Sequence, residues 1–264
     1  PASTTPNQCG RSNLHATPRQ SSGLIVPAGT LGLALEKNQH ERMALDHAAD
    51  LSRIDCWIFD LDNTLYPPSA GLFRQIDHAM TNFIQQELSV ERAHADLLRA
   101  QYWREHGTTL SGMIRHHGTD PDHFLTACHA IDYSGLEPDS ALKAAIGNLP
   151  GRKIIHTNGP RCHASSVLRA LGYADLFDMV FALEDTDLVS KPDAQAFHTV
   201  FGAAWIEPST AAMIEDDARN LAVPHRMNTR TVWVDHFDSA SDPEHVHHRT
   251  QDLAEFLKPL QARP

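Results

Sequence analysis

The 264-residue sequence predicts an α/β fold: a parallel sheet core with helices on both faces and a helical cap inserted after the first strand. Three observations carry this expectation. Apolar runs of strand length end abruptly in polar or acidic residues. Amphipathic helical patterns separate the later runs. A long interval after the first run has helical periodicity and no strand signal. Strands that alternate with helices build parallel sheets covered on both faces, and such sheets bind ligands beyond the carboxyl ends of their strands.

Composition narrows the class. Hydrophobic residues make up 41% of the chain and charged residues 21%, as in a soluble globular protein large enough for one domain with an insertion. The formal net charge of −11 excludes a general nucleic-acid binder, which carries a basic face. The four cysteines, Cys9, Cys56, Cys128 and Cys162, form no CxxC pair and no zinc spacing, and are read as reduced thiols of a cytoplasmic protein. The apolar stretch 24–35 is broken by Pro27, Gly29, Thr30 and Gly32, so it serves neither as a signal-peptide core nor as a membrane span. The expected partner is a small molecule, with no nucleic acid and no membrane, bound by a monomer or homodimer.

Residues 1–42, rich in Ser, Thr, Pro, Gly, Asn and Gln, read as a flexible extension, and Met43 marks the expected natural start. The core is assigned to 43–66 and 151–264. Strands are expected at 56–59, 153–156, 179–182, 212–214 and 231–234. Helices are expected at 161–171, stopped by Gly172, at 194–201, stopped by Gly202, and at 218–223. The interval 67–150 is assigned to the cap. Its stripes are Phe73, Ile76, Met80, Phe83 and Ile84, then Ala93, Leu97, Ala100 and Trp103.

Four strand ends carry chemistry. Trp57-Ile58-Phe59 runs into Asp60-Leu61-Asp62, and strand alternation would place both carboxylates on one side of the chain. Crowded acids repel, so a divalent cation or a phosphoryl-transfer site gives them a purpose: one acts on a substrate and the other handles a proton. Thr157-Asn158-Gly159 precedes a helix and offers a hydroxyl and backbone N–H groups to an anion, with Thr157 and Asn158 as candidate phosphate ligands. Ser190-Lys191-Pro192-Asp193 opens another helix. A cation there faces the positive end of the dipole, so Lys191 needs a negative partner, either the first acids or a phosphate. The last strand end is Glu215-Asp216-Asp217, costly unless solvated or bound to a cation. Each feature alone also fits an ordinary cap, turn or solvated charge. Their convergence on one sheet end favours a site.

These residues, Asp60-Leu61-Asp62-Asn63-Thr64, Thr157-Asn158-Gly159, Lys191-Pro192 and Glu215-Asp216-Asp217 with Asn220-Leu221, in this order and spacing, resemble the haloacid dehalogenase superfamily. Within it, Leu65-Tyr66-Pro67-Pro68, the stretch 102–110, Ile131-Asp132-Tyr133 and Leu149-Pro150-Gly151 resemble the pyrimidine 5′-nucleotidase group. The resemblance implies a Rossmann-like core and hydrolysis of a nucleoside monophosphate through an aspartyl-phosphate. Asp60 would be the nucleophile, Asp62 the acid and base, and Lys191 the counter-charge. Mg²⁺ would be held by Asp60, the backbone carbonyl of Asp62, and Asp216. The fourth segment departs from the family, with Glu215 where an Asp or Gly is usual and Asp217 where a Ser is usual.

His156 alternates away from Thr157 and reads as structural. Arg74, His78, Tyr102, Arg104, His106, Arg115, His116 and His117 are cap candidates for touching substrate, although each fits a solvated surface better. His245, His247 and His248 read as exposed rather than metal-binding. The alternatives are a phosphatase for another small ester, such as phosphoglycolate or a sugar phosphate, a dehalogenase, or a non-catalytic phosphate-binding domain. Asp62 weighs against the dehalogenase, because halide leaves without a proton.

Overall fold

The structure is a computed structural model and describes residues 49–240 and 242–260. The expected extension 1–42 and Met43 lie outside the described residues. Six parallel strands form one sheet: β1 (Cys56–Phe59), β2 (Arg152–His156), β3 (Met179–Phe181), β4 (Ala211–Glu215), β5 (Arg230–Val234) and β6 (His248–Thr250), in the order β3-β2-β1-β4-β5-β6. Strand order reverses direction beside β1, and the crevice at such a switch point is where doubly wound sheets bind ligands.

Alternation along the strands sorts the core into two layers. Trp57, Phe59, Ile155, Ala212, Ile214, Val232 and Val234 face one side. There they meet Val167 and Leu171 of α6 (Arg161–Leu171) and Phe256 and Leu257 of α9 (Leu253–Leu257). Cys56, Ile58, Ile154, Ala211, Met213 and Trp233 face the other side, against Phe197, Val200 and Phe201 of α7 (Ala194–Ala203). Helix α7 runs one residue past Gly202, the expected stop, to Ala203. The segment 218–223 is a 3₁₀ turn (Ala218–Leu221) followed by the short α8 (Ala222–Arg226).

The interval 67–150 carries helices and no strand, with an irregular stretch at 129–139: α1 (Leu72–Leu88), α2 (Arg92–His106), α3 (Thr109–His117), α4 (Pro121–Cys128) and α5 (Ser140–Gly147). It packs in two parts. Phe83, Ile84, Tyr102, Met113, Phe124 and Cys128 form a cluster of their own. Leu142, Ala145 and Ile146 of α5, on one face by their spacing, join the sheet's first layer instead. The stripe expected on α2 is overturned. Leu97 is 69% and Trp103 49% exposed, while the helix buries Ala95 and Tyr102. Tyr102 lies directly against the α3 backbone, where a Cβ at Gly112 would meet its Cγ at 2.2 Å. That close approach fixes the rotation of α2 and turns Trp103 toward the cavity described below.

The sequence gives no sign of β6, because its three residues contain no apolar run. Nor are the nearby histidines loose surface groups. His245 Nε2 lies 2.7 Å from the Ala218 carbonyl, Thr231 N–H donates to His247 Nδ1 at 3.1 Å, and His248 Nε2 lies 2.9 Å from Asp50 Oδ2. They pin the last strand to the sheet. Among the described residues no helix is long and apolar enough to cross a membrane.

Candidate active site

Pairing register sets the site. Phe59 sits opposite Ile155 on one side and Ile214 on the other, so the next residues, Asp60, His156 and Glu215, emerge level with one another. The Asp60 N–H still donates to the Ile214 carbonyl at 2.9 Å, which anchors the nucleophile candidate to the sheet. The chain then turns. Leu65 N–H donates to the Leu61 carbonyl at 3.0 Å, and Asn63 adopts a positive φ of 57°.

The turn separates the environments of Asp60 and Asp62. Lys191, 1% exposed, donates through Nζ to Asp60 Oδ1 at 2.7 Å and to Glu215 Oε2 at 2.6 Å. The acids of the first and last segments are therefore its negative partners. It precedes α7 rather than sitting in its first turn: Asp193 is the N-cap, accepting from Gln195 N–H at 2.8 Å. Asp62 accepts instead from Tyr66 Oη and pairs with His163 Nε2 at 2.7 Å, with His163 fully buried. His163 Nδ1 in turn lies 3.0 Å from Tyr133 Oη.

Burial drives both aspartates toward neutrality, and their partners decide the outcome. Asp60 stays above the usual carboxylate range, because the Lys191 ammonium does not fully offset burial and the nearby Asp62 charge. Asp62 is held below that range, since His163 and Tyr66 outweigh its burial. Lys191 is raised: burial alone would lower it, but Asp60 and Glu215 hold its proton. Burial and then Asp60 push Glu215 well up and Asp216 up to about 7.

Carboxylate oxygens of Asp60, Glu215 and Asp216 lie within 4.8 Å of one another. Three crowded acids lie around one ammonium, and all three are pushed toward neutrality by burial and by neighbouring carboxylate charge. An all-oxygen set of this kind suits a hard divalent cation such as Mg²⁺. Glu215 is the member absent from the expected trio, and the Asp62 carboxylate is occupied by His163 and Tyr66 rather than grouped with these three. The extra carboxylate at 215 matters because Lys191 rests on it.

Thr157, 2% exposed, accepts from Gly159 N–H at 2.9 Å. Asn158 uses both ends of its amide on the Lys191 backbone: Nδ2 donates to the carbonyl at 3.0 Å and Oδ1 accepts from the N–H at 2.8 Å. The Asn158 side chain thus fixes the lysine rather than reaching for an anion. His156 is buried against the Phe197 ring and kept neutral by burial and Lys191, in line with a structural role.

Asp60, Asp62, Thr157, Lys191 and Asp216 open onto one cavity of about 410 Å³. Its opposite wall comes from α1 and α2, through Phe73, Asp77, Met80, Arg99 and Trp103. None of the eight cap candidates from the sequence lines it. His106 and Arg115 border a second hollow beside Ser190, while Tyr102, His116 and His117 are tied to one another through a 2.7 Å Tyr102–His117 bond and the Tyr102–His116 stack. A usable signal was present: Asp77 stands on the same helical face as Phe73, Ile76 and Met80, a charge on an apolar stripe. Tyr66 and Tyr133 were marked only by the resemblance, with no role attached, and His163 left no trace.

The parallel sheet thus brings two buried acids and a buried lysine together at its switch point, a set able to supply a nucleophile, a proton carrier and a counter-charge. Residues 54–227 match the model of the haloacid dehalogenase-like hydrolase family, and the chain belongs to that family. It is 29% identical over 190 residues to "Phosphate metabolism protein 8" of Saccharomyces cerevisiae, a match covering 62% of this chain and 56% of the yeast protein. It is 27% identical over 152 residues to "Validoxylamine A 7'-phosphate phosphatase" of Streptomyces hygroscopicus subsp. limoneus, covering 48% and 71%. The solved structure of CbbY from Rhodobacter sphaeroides in complex with phosphate shares the fold with a TM-score of 0.56 at 17% identity, covering 78% of this chain and 99% of that one.

Proposed function

We propose that the protein is a Mg²⁺-dependent phosphate-monoester hydrolase working through an aspartyl-phosphate, with a nucleoside 5′-monophosphate, pyrimidine first, as substrate. The observation that carries this reading is the opposed treatment of two acids in one cavity. Asp60 is bound to Lys191 beside Glu215 and Asp216, whereas Asp62 is bound to His163 and Tyr66. A carboxylate held on a buried ammonium beside further acids suits attack on phosphorus, and one set apart within hydrogen-bond reach of a histidine suits proton transfer.

In the first half-reaction an Asp60 oxygen bonds to phosphorus, the ester P–O bond breaks, and the departing alkoxide takes a proton from the Asp62 carboxyl. An arriving phosphate dianion favours that proton on Asp62 by like-charge repulsion. In the second half, Asp62 accepts a proton from water as the water oxygen bonds to phosphorus. The P–O bond to Asp60 breaks, releasing phosphate. Lys191 screens Asp60 from the dianion throughout, and Thr157 with the neighbouring backbone N–H groups would hold the non-reacting oxygens. Mg²⁺, held by Asp60, Asp216 and the backbone carbonyl of Asp62, would offset the phosphoryl charge.

A sugar phosphate or another small ester is the second reading, in keeping with the likeness to Validoxylamine A 7'-phosphate phosphatase. The test is phosphate release from UMP, CMP, AMP, phosphoglycolate and hexose phosphates, with Mg²⁺ and then with chelator. Release from UMP or CMP that stops on chelation supports the proposal. Silence across the panel with Mg²⁺ present refutes it.

A further inference from the structure

The cap-side wall of the cavity is mainly apolar, yet it holds two opposite charges. Asp77 comes from α1 and Arg99 from α2, and Arg99 Nη1 lies 2.6 Å from Asp77 Oδ1 with side chains 25% (Arg99) and 43% (Asp77) exposed. Arg99 Nε is shut away from solvent, but Nη2 of the same guanidinium is not among the buried unpaired atoms and has no protein acceptor among the described residues. Asp77 Oδ2 has no protein donor among the described residues. Both groups therefore keep hydrogen-bonding capacity next to the apolar surfaces of Phe73, Met80 and Trp103.

The two charges cancel. A lone arginine in this wall would attract a second anionic group on the substrate, and a lone aspartate would repel it. The pair does neither, and an added anion would have to lose its hydration with no free cation to receive it. What the pair offers is a donor beside an acceptor. This complements an uncharged group that itself carries an acceptor beside a donor, as neighbouring sugar hydroxyls or the edge of a nucleobase do. Discrimination by such a site comes as much from what it leaves unpaired as from what it binds.

We propose that the Asp77–Arg99 pair is the specificity element of this hydrolase: it selects phosphate esters whose leaving group is uncharged and presents a hydrogen-bond acceptor beside a donor, and it rejects esters with a second anion. The inference rests on the phosphatase reading above and narrows it, setting phosphoglycolate apart from nucleotides and sugar phosphates.

The experiment measures kcat/KM of the wild type, Asp77→Asn and Arg99→Lys on UMP, glucose 6-phosphate and phosphoglycolate, with Mg²⁺. The wild type should prefer UMP or glucose 6-phosphate over phosphoglycolate by at least tenfold, and whichever is preferred identifies the source of the recognised edge. Asp77→Asn frees the Arg99 charge and should move the ratio of phosphoglycolate to the preferred ester at least tenfold toward phosphoglycolate. Arg99→Lys keeps the charge but loses the fork, and should raise KM for the preferred ester severalfold with kcat little changed. It decides the matter if Asp77→Asn does not fold. A ratio within twofold of wild type in the folded variants, with all esters falling together, makes the pair structural and overturns the inference alone. No turnover of any ester by wild type overturns it together with the phosphatase reading.

Discussion

The two walls of the cavity are built on different terms. On the sheet side the polar groups are tied: Lys191 to two acids, Asp62 to His163 and Tyr66, and Asn158 to the Lys191 backbone. On the cap side one ion pair sits among half-exposed apolar groups, with Phe73 45% and Trp103 49% exposed. The first wall is pre-organised, as electrostatic catalysis requires. The second can change its surface without disturbing the chemistry. Variants of the sheet wall should therefore reduce kcat or stability, and variants of the cap wall should change KM.

The largest effect is expected at the proposed nucleophile. Asp60→Asn should lower kcat by about 10⁴-fold or more while circular dichroism stays native; turnover near wild type would remove Asp60 from its role. Asp62→Asn should cost about 10²–10⁴-fold, and more with an alkyl ester than with p-nitrophenyl phosphate, whose leaving group departs without a proton. An equal loss on both esters would mean that Asp62 supplies no proton. Lys191→Met leaves two buried acids uncompensated and should lower unfolding free energy by about 3–5 kcal/mol in urea titrations. A change under 1 kcal/mol would show that the pairing is not what holds this wall.

The next effect is on pH dependence. Burial, and then the neighbouring His163, hold the half-buried His129 down to about 4, against 6.5 in the unfolded chain. As pH falls below 6.5 the unfolded chain takes up this proton first, so the His129 contribution is complete above 6.5 and lost progressively toward 4. The loss is on the order of 2–3 kcal/mol, and His129→Gln should flatten that part of a stability–pH curve. The smallest effect belongs to the cap wall: Phe73→Ala should raise KM by about threefold to tenfold with kcat held. A fall in kcat instead would show that the two walls are not separable.

Much of the sheet wall was legible in the sequence because its residues end apolar runs. Strand β1 into Asp60 and Asp62, β2 into Thr157, and β4 into Glu215-Asp216-Asp217 are local patterns, and a parallel sheet forces their ends together. What could not be read is what depends on rotation and register. His163 faces Asp62 only because of how α6 docks, and Lys191 rests on Glu215 because pairing sets it level with Asp60. The α2 stripe misled because Tyr102 against Gly112, a contact between two helices, outweighs the helix's own periodicity. The His248–Thr250 strand was missed because it is held by pairing and by histidine side chains rather than by apolar content.

The guanidinium of Arg219 stacks on the Trp103 indole at 4.0 Å, and the same arginine is bound to Asp217 beside the acid cluster. Of the other indoles, Trp57 and Trp233 are buried and Trp205 is 89% exposed. Trp103 is thus the tryptophan that borders the cavity while touching the sheet side through Arg219. Its emission gives the protein a built-in optical reporter: a ligand that displaces the guanidinium or covers the ring alters quenching, so occupancy can be followed by fluorescence without any attached dye.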